Sequence, residues 1–284
     1  MKILVTGYSG QLGYDVVLEG KKRGFEIIGV GHKELDITQE EQVECYVHNV
    51  VPDAIIHCAA YTAVDNAEDD KETCLDVNVN GTKYLAAAAK SVDAKFIYIS
   101  TDYVFEGTGT EPFTEEDAAN PVGYYGLTKY EGEKAVQSLL DKYFNVRISW
   151  VFGINGNNFI KTMLRLAETR DELNVVGDQY GSPTYTFDLA KLLLDMVNTE
   201  KYGVYHASNE GFTTWADFAK EIFQVAGKKV KVNSITTEEY PTKAVRPKNS
   251  RMSKDKLEKN GFTRLPAWQD ALTRYIAELQ EEVN

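Results

Sequence analysis

Lys2-Ile3-Leu4-Val5-Thr6-Gly7-Tyr8-Ser9-Gly10-Gln11-Leu12-Gly13 is the stretch on which the fold turns. A short apolar run passes directly into glycines, which reads as a strand, a tight turn and the first turn of a helix. Glycines at such a turn let the backbone come close to a pyrophosphate, and the helix beyond it aims unpaired N–H groups at the anion. Gly7, Gly10, Gln11, Leu12 and Gly13 are therefore the first candidate cofactor contacts. The glycines are spaced GxxGxxG rather than GxGxxG. An ordinary glycine turn between strand and helix is the plain alternative.

Outward from this turn, apolar runs alternate with helix-length amphipathic segments. Residues 26–30, 54–57, 95–100 and 146–150 read as further strands, and residues 40–49, 78–92 and 126–144 carry helical periodicity. Right-handed crossovers would assemble these into an α/β, doubly wound parallel sheet of Rossmann type. Ligands bind beyond the carboxyl ends of strands in such sheets. Gly7, Ala59, Ala60, Ser100, Thr101 and Trp150 all fall at those ends, so one crevice collects them. After Trp150 the pattern loosens into a loop at 153–158, a helix at 159–167 and a loop at 177–184. Helix 186–198 and strand 202–206 then return to the first pattern, and helical segments at 213–226 and the C-terminus follow. The expected division is a dinucleotide-binding domain of residues 1–152 plus about 184–210, interleaved with a smaller substrate-binding lobe of about 153–183 plus 211–284.

The chain has 284 residues, 43% of them hydrophobic, and a formal net charge of −12. That is enough for one substantial core and a smaller lobe. The acidic balance, without basic clusters, argues against nucleic-acid binding. No apolar stretch reaches the roughly 18 residues of a membrane span and no leader pattern precedes the first strand, so a cytoplasmic protein is expected. Cys45, Cys58 and Cys74 lack ligand spacing and read as reduced structural thiols, with no metal site.

Tyr125-Gly126-Leu127-Thr128-Lys129 carries the chemistry. Residues four apart share a helix face, so the Lys129 ammonium is expected near the Tyr125 phenol, lowering a pKa of about 10 and making it a usable acid/base. Ser100-Thr101-Asp102 lies upstream. A hydroxyl at the end of its strand can orient a carbonyl and disperse developing negative charge, although strand-end capping would use the same residues.

Six segments, taken in order, make the chain resemble the dTDP-4-dehydrorhamnose reductases among the extended short-chain dehydrogenase/reductases, whose glycine turns share the wider spacing. They are Ala59-Ala60-Tyr61-Thr62-Ala63-Val64-Asp65, Ser100-Thr101-Asp102-Tyr103-Val104-Phe105, Tyr125 to Lys129, Asn157-Asn158-Phe159, Asp178-Gln179-Tyr180-Gly181-Ser182-Pro183-Thr184 and Arg246-Pro247-Lys248-Asn249-Ser250. The resemblance implies reduction of the 4-keto group of dTDP-6-deoxy-L-lyxo-4-hexulose to dTDP-L-rhamnose, with a nicotinamide cofactor giving hydride to the sugar C4. Tyr125 would then protonate the oxygen, Lys129 would stabilise tyrosinate and bond the nicotinamide ribose, and Thr101, with Ser100 beside it, would hydrogen-bond the carbonyl. Asp102 and Tyr103 are candidate sugar contacts, with loop order and packing as their alternatives. Trp150 would pack on the deoxysugar, with core burial as its alternative. Arg246, aided by Asn249, would take the pyrophosphate. Gln179, Gly181 and Pro183 would form a loop over the nucleotide, and Asn158 and Phe159 would open a helix suited to an anion.

About twenty residues past the glycine turn the sequence reads Gly31-His32-Lys33-Glu34, with no clear acid for a ribose 2′-OH. His32 and Lys33 can pair with a 2′-phosphate, which favours NADPH, while Glu34 leaves NADH open. The resemblance puts Asp36 and Ile37 beside the adenine and Ala59, Ala60 and Tyr61 along the cofactor. It also leaves open a homodimer, since acidic side chains meet at a metal-bridged dimer interface in some members; Asp15, Glu278, Glu281 and Glu282 are the carboxylates noted here, with a solvated face as their plainest role. Two alternatives stand beside the reductase: a nucleotide-sugar 4-epimerase on the same scaffold, and a non-enzymatic cofactor-binding regulatory subunit. Thr101-Asp102-Tyr103 lacks the Asp-Glu pair that a dehydratase uses.

Overall fold

The computed structural model describes residues 1–283, with side chains through Glu281; the side chain of Glu282 lies outside the described residues. Six parallel strands form the central sheet: β1 (Lys2–Thr6), β2 (Glu26–Val30), β3 (Ala54–His57), β4 (Lys95–Thr101), β5 (Tyr143–Ile148) and β10 (Gly203–His206). Their order is β10-β5-β4-β3-β1-β2, so the chain first winds outward from β1 to β2 and then reverses to β3 on the other side. The register aligns Thr6 with both Val30 and His57, and Thr101 with Ile148, which brings the carboxyl ends of the strands level at the reversal.

Alternation of side chains along each strand explains why both faces are covered. Ile3, Val5, Ile56 and Phe144 point into a core capped by α1 (Gln11–Lys22) and α7 (Thr186–Val197). Leu4, Ile55, Phe96 and Tyr98 enter the opposite core, built with α2 (Glu40–Val50), α4 (Gly81–Ser91) and α5 (Tyr124–Leu139). A separate cluster around Phe152, Ile160, Phe218, Trp268 and Tyr275 joins α6 (Phe159–Leu166), α8 (Trp215–Val225) and α10 (Trp268–Val283). Beside it, β7 (Glu172–Val176) pairs in parallel with β12 (Lys231–Ile235).

Several expected boundaries shift. The helix expected over 126–144 ends at Leu139, and residues 143–145 belong to β5, which stops at Ile148 instead of reaching Trp150. The run around Tyr143 and Phe144 is apolar enough to close an amphipathic helix or to open a buried strand, and burial between two strands decides it. The helix expected over 78–92 starts as a π-helical turn, Asp76–Asn80, before α4. The expected loop at 177–184 carries two short strands, β8 (Tyr180–Gly181) and β9 (Thr184–Tyr185), which pair with β11 (Thr213–Thr214) and β6 (Val151–Phe152). Strands of two residues give no readable periodicity. The remaining helix, α3 (Lys71–Leu75), and a last one, α9 (Asp255–Lys259), are short connectors.

Asp15 on α1 is buried where this helix meets α7, and the Thr186 hydroxyl donates to its carboxylate at 2.5 Å. Burial pushes its carboxyl up to about 6, Thr186 opposes this, and the nearby Glu278 adds to it. A carboxyl whose folded pKa is raised binds its proton more tightly folded than unfolded, so its contribution worsens as pH rises from about 4 through 6. Asp15→Asn keeps an acceptor for Thr186 and is expected to raise stability by about 1–3 kcal/mol at pH 7.5. The gain should shrink toward pH 4.5 in paired urea titrations. A gain independent of pH would show that the Asp15 charge is not its source.

Among the described residues, no helix is long and apolar enough to cross a membrane.

Candidate active site

The first helix is prepared for an anion by what its N-terminus lacks. Gly10 caps α1 without a side-chain hydrogen bond, and no acid occupies the first turn. Gly7 sits at φ +68°, and a Cβ on it would lie 2.7 Å from the Ala59 nitrogen; a Cβ on Gly13 would lie 2.3 Å from the Gly7 carbonyl. The turn is thus pressed against both the helix and the strand end beside it. Thr6 secures the strand end: its hydroxyl accepts the Ala59 N–H at 3.3 Å and lies 2.7 Å from His57 Nδ1. On the far side of the ring, Thr82 donates to the Asn78 carbonyl, so His57 Nε2 is the donor to Thr82 and Nδ1 the acceptor from Thr6. Burial, aided by the Lys129 charge, pushes His57 down to about 3 and keeps it neutral. Neither Thr6 nor His57 carries a motif; only the position of Thr6 at the end of β1 singles it out in sequence.

A cleft of 780 Å³ opens above the reversal point. Gly7, Gly10, Gln11, Leu12, His32, Asp36, Ile37, Ala59 and Ala60 line it on one side, and Ser100, Thr101, Asp102, Tyr103, Tyr125, Lys129 and Trp150 on the other. The sequence places these residues far apart, and the sheet brings them into one chamber. Gly13 is not on its wall but behind it, where it packs the helix on the turn. Lys33 is exposed and outside the lining, and Tyr61 is also outside, its backbone held at both N–H and carbonyl by Asn78. Glu34 turns back to accept the Gly31 N–H at 2.9 Å, and Asp36 accepts from the N–H and hydroxyl of Thr38.

On the side of the cleft that Tyr125 lines, the Thr101 hydroxyl accepts the Tyr103 N–H at 3.2 Å and donates to Asp102 at 3.0 Å. It also lies in hydrogen-bond contact with Tyr125. Burial raises the Asp102 carboxyl to about 6, against the pull of hydrogen bonds from Ser250 and Thr101. The Tyr103 ring stands edge-on to Tyr125 with centroids 5.6 Å apart, and its carbonyl would meet a Cβ on Gly126 at 2.2 Å. Gly126 is therefore what lets α5 approach closely enough to present Tyr125 to Thr101. Ser100 ends the row with a buried hydroxyl that has no hydrogen-bond partner among the described residues.

The expected lowering of the Tyr125 pKa by Lys129 is corrected by this geometry. Burial pushes the phenol up well above its ordinary value, with the Thr101 hydrogen bond opposing and the Asp102 charge adding. Lys129 shares the helix face, but its Nζ lies over the Tyr98 ring, 4.2 Å from the centroid. Burial depresses Lys129 to about 7, while Glu133 pulls the other way. Low-polarity walls, which spacing does not reveal, dominate both groups.

Trp150 lines the cleft, and the other expected contacts surround it without lining it. Trp150, at φ +49°, stacks on Trp215 with centroids 3.7 Å apart, and a Cβ on Gly181 would meet its ring at 2.7 Å. Pro183 accepts the Asn209 N–H, and Gln179 donates to Thr237 at 3.2 Å. Asn158 caps α6 and its amide donates to Gln11, Gly153 and Tyr275, joining α1, α6 and α10; Phe159 packs against Trp215. Arg246 donates to the Tyr103 hydroxyl at 2.9 Å and to Asp65 at 2.5 Å, at the edge of a smaller cavity of 370 Å³. Asn249 is buried, and its amide is spent on the carbonyls of Thr108 and Glu111. That use holds the loop over residues 107–111. Among the described residues, no group of three metal-ligating side chains is assembled.

Comparison with known proteins agrees with this arrangement. The family model described as RmlD substrate binding domain matches residues 1–281. The dTDP-4-dehydrorhamnose reductase of Aggregatibacter actinomycetemcomitans is 41% identical, covering 95% of this chain and 97% of its own. The crystal structure of a dTDP-4-dehydrorhamnose reductase from Clostridium acetobutylicum superposes with a TM-score of 0.97 at 45% identity, over 99% of this chain and 100% of that one. The Bacillus anthracis dTDP-4-dehydrorhamnose reductase in complex with NADP gives 0.95 at 44% identity, over 98% and 99%. A glycine turn, a strand-end threonine and a tyrosine–lysine pair closing on one chamber, with similarity along nearly the whole length, place the chain in the dTDP-4-dehydrorhamnose reductase family.

Proposed function

We propose that this protein is an NAD(P)H-dependent oxidoreductase that reduces the 4-keto group of dTDP-6-deoxy-L-lyxo-4-hexulose to give dTDP-L-rhamnose. The observation that carries the proposal is the convergence of Thr101, Tyr125 and Lys129 on the cleft that the glycine turn also opens into. The residues present suit a dinucleotide. Gly7 and Gly13 leave a cradle that side chains would fill, and Ser100 offers an unpartnered buried hydroxyl. Gly7, Gly10, Gln11 and Leu12 would hold the diphosphate, Ala59 and Ala60 the middle, and His32, Asp36 and Ile37 the adenosine end. When bound, a reduced nicotinamide supplies the two electrons and one hydrogen that the carbonyl carbon gains.

This chain's residues manage the oxygen. Tyr125 holds its proton at neutral pH because burial raises its pKa, which suits an acid that must deliver the proton to a developing alkoxide. Thr101 is placed to hydrogen-bond the same oxygen and orient it, and Lys129 places a positive charge where the tyrosinate forms. Trp150 and Tyr103 offer aromatic surface to the deoxysugar, and Arg246 its guanidinium to the diphosphate. NADPH is favoured over NADH because His32 lines the adenosine end, where its ring can pair with a 2′-phosphate, and the Asp36 carboxylate beside it is taken up by Thr38. The division into a dinucleotide-binding domain and an interleaved sugar-nucleotide lobe belongs to the same proposal, with α6, α8 and α10 in the second. Both reactants are charged nucleotides that do not cross membranes, so the reaction is placed in the cytoplasm.

The test is NADPH and NADH oxidation with enzymatically generated keto sugar, followed by identification of the product. Formation of dTDP-L-rhamnose is expected; bound cofactor without oxidation would reject the substrate.

A further inference from the structure

Tyr125, Lys129 and Glu133 stand at successive four-residue steps along one face of α5. The first two have roles in the proposed reaction, and the third has none. Glu133 is fully buried, and Arg147 on β5 grips it in a two-pronged ion pair, Nε to Oε1 at 2.9 Å and Nη2 to Oε2 at 2.7 Å, with both side chains at 5% exposure or less. The Asn145 amide donates to the Glu133 carbonyl, and the Arg147 guanidinium lies over the Phe105 ring. Burying such a pair costs desolvation that its mutual attraction does not reliably repay, and apolar residues of similar volume are often as stable. Its location one turn below Lys129 gives it another use.

Lys129 is itself buried, over the Tyr98 ring, without an ion pair among the described residues. The groups facing it are His57 and Cys58 from the β3 end, Cys74 from α3, Tyr98 from β4, and Tyr125 and Glu133 from its own helix. Glu133 is the one carboxylate in that set. Tyr98 and Tyr143 also face Glu133, and Arg147 closes its far side.

We propose that Glu133, locked in place by Arg147, is a positioning residue that favours the ammonium form of Lys129 inside a dry site. Arg147 fixes the position of the carboxylate through its two hydrogen bonds, and the carboxylate acts on Lys129 along the helix. The inference about the reaction rests on the reductase reading, while the effect on Lys129 is independent of it. Removing both charges, with Glu133→Leu and Arg147→Met, avoids an uncompensated buried arginine and keeps the volume. The test follows the Lys129 ε-carbon by NMR titration of the folded full-length protein, assigned by its loss in Lys129→Met. The same double variant is assayed for the pH dependence of kcat with NADPH and the keto sugar.

The Lys129 midpoint is expected to fall by at least about half a unit, and turnover at pH 8 to fall about threefold or more with near wild-type rates at pH 6. An unchanged midpoint with only a lower Tm would make the pair structural and overturn the proposal. A shifted midpoint with an unmoved kcat profile would overturn its role in the reaction. A wild-type protein that binds NADPH but turns nothing over would sink the reductase reading, and the midpoint shift would still support the action of Glu133 on Lys129.

Discussion

Tyr125→Phe is expected to lower kcat by about 10²- to 10⁴-fold while leaving NADPH affinity within about twofold. The substitution removes one oxygen from a residue whose ring already packs edge-on against Tyr103, so the wall of the cleft keeps its shape. What disappears is the proton donor beside Thr101. Thr101 can still hydrogen-bond the carbonyl oxygen, which is why residual turnover is expected and not a complete loss. Stopped-flow oxidation of NADPH with saturating keto sugar measures the chemical step, and fluorescence titration measures the binding. Unimpaired turnover would remove Tyr125 as the acid. The regulatory-subunit alternative makes the contrary forecast, that the phenylalanine variant behaves as wild type in every assay.

The second large effect belongs to Gly13→Ala. The added carbon would lie 2.3 Å from the Gly7 carbonyl oxygen and 2.8 Å from the Tyr8 Cα, both backbone atoms that no rotamer change can move. Helix α1 must back away from the turn, which takes its N–H groups off the line of any diphosphate. We expect NADPH binding weaker by about tenfold or more, roughly 1.4 kcal/mol, and overpacking that costs about 1–3 kcal/mol of stability. Gly10→Ala is the graded control, because its Cβ would meet a single atom at 3.3 Å. Isothermal titration and urea denaturation on both variants give the comparison; equal losses in the two would show that helix approach is not the cause.

The order of strands and helices was legible because buried parallel strands are continuous apolar runs and the glycine turn marks where the first one ends. The Tyr125 and Lys129 pair was legible for the same kind of reason, since four-residue spacing defines a helix face. The direction of their pKa shifts was not. That depends on Tyr98, His57 and Cys58 drying the site, and those residues come from β4 and from the end of β3. Arg246 was visible as a forked cation, but its pairing with Asp65 and Tyr103 depends on a long-range closure between segments some 140 to 180 residues apart. The hydrogen bonds that the Asn249 amide donates to the loop carbonyls of Thr108 and Glu111 likewise depend on a closure over about 140 residues. Two-residue strands such as β8 and β9 lie below any period a sequence can display.

Trp150 holds a left-handed backbone conformation that a tryptophan rarely adopts. It is kept there by Thr184, whose N–H donates to its carbonyl, by stacking on Trp215, and by the space that Gly181 leaves for its ring. None of these three supports lines the cleft. The shape of the wall that Trp150 forms is therefore adjustable from behind. Substitutions at 181, 184 or 215 offer a route by which a descendant enzyme could accept a differently shaped hexose while every atom of the proton-transfer apparatus stays where it is.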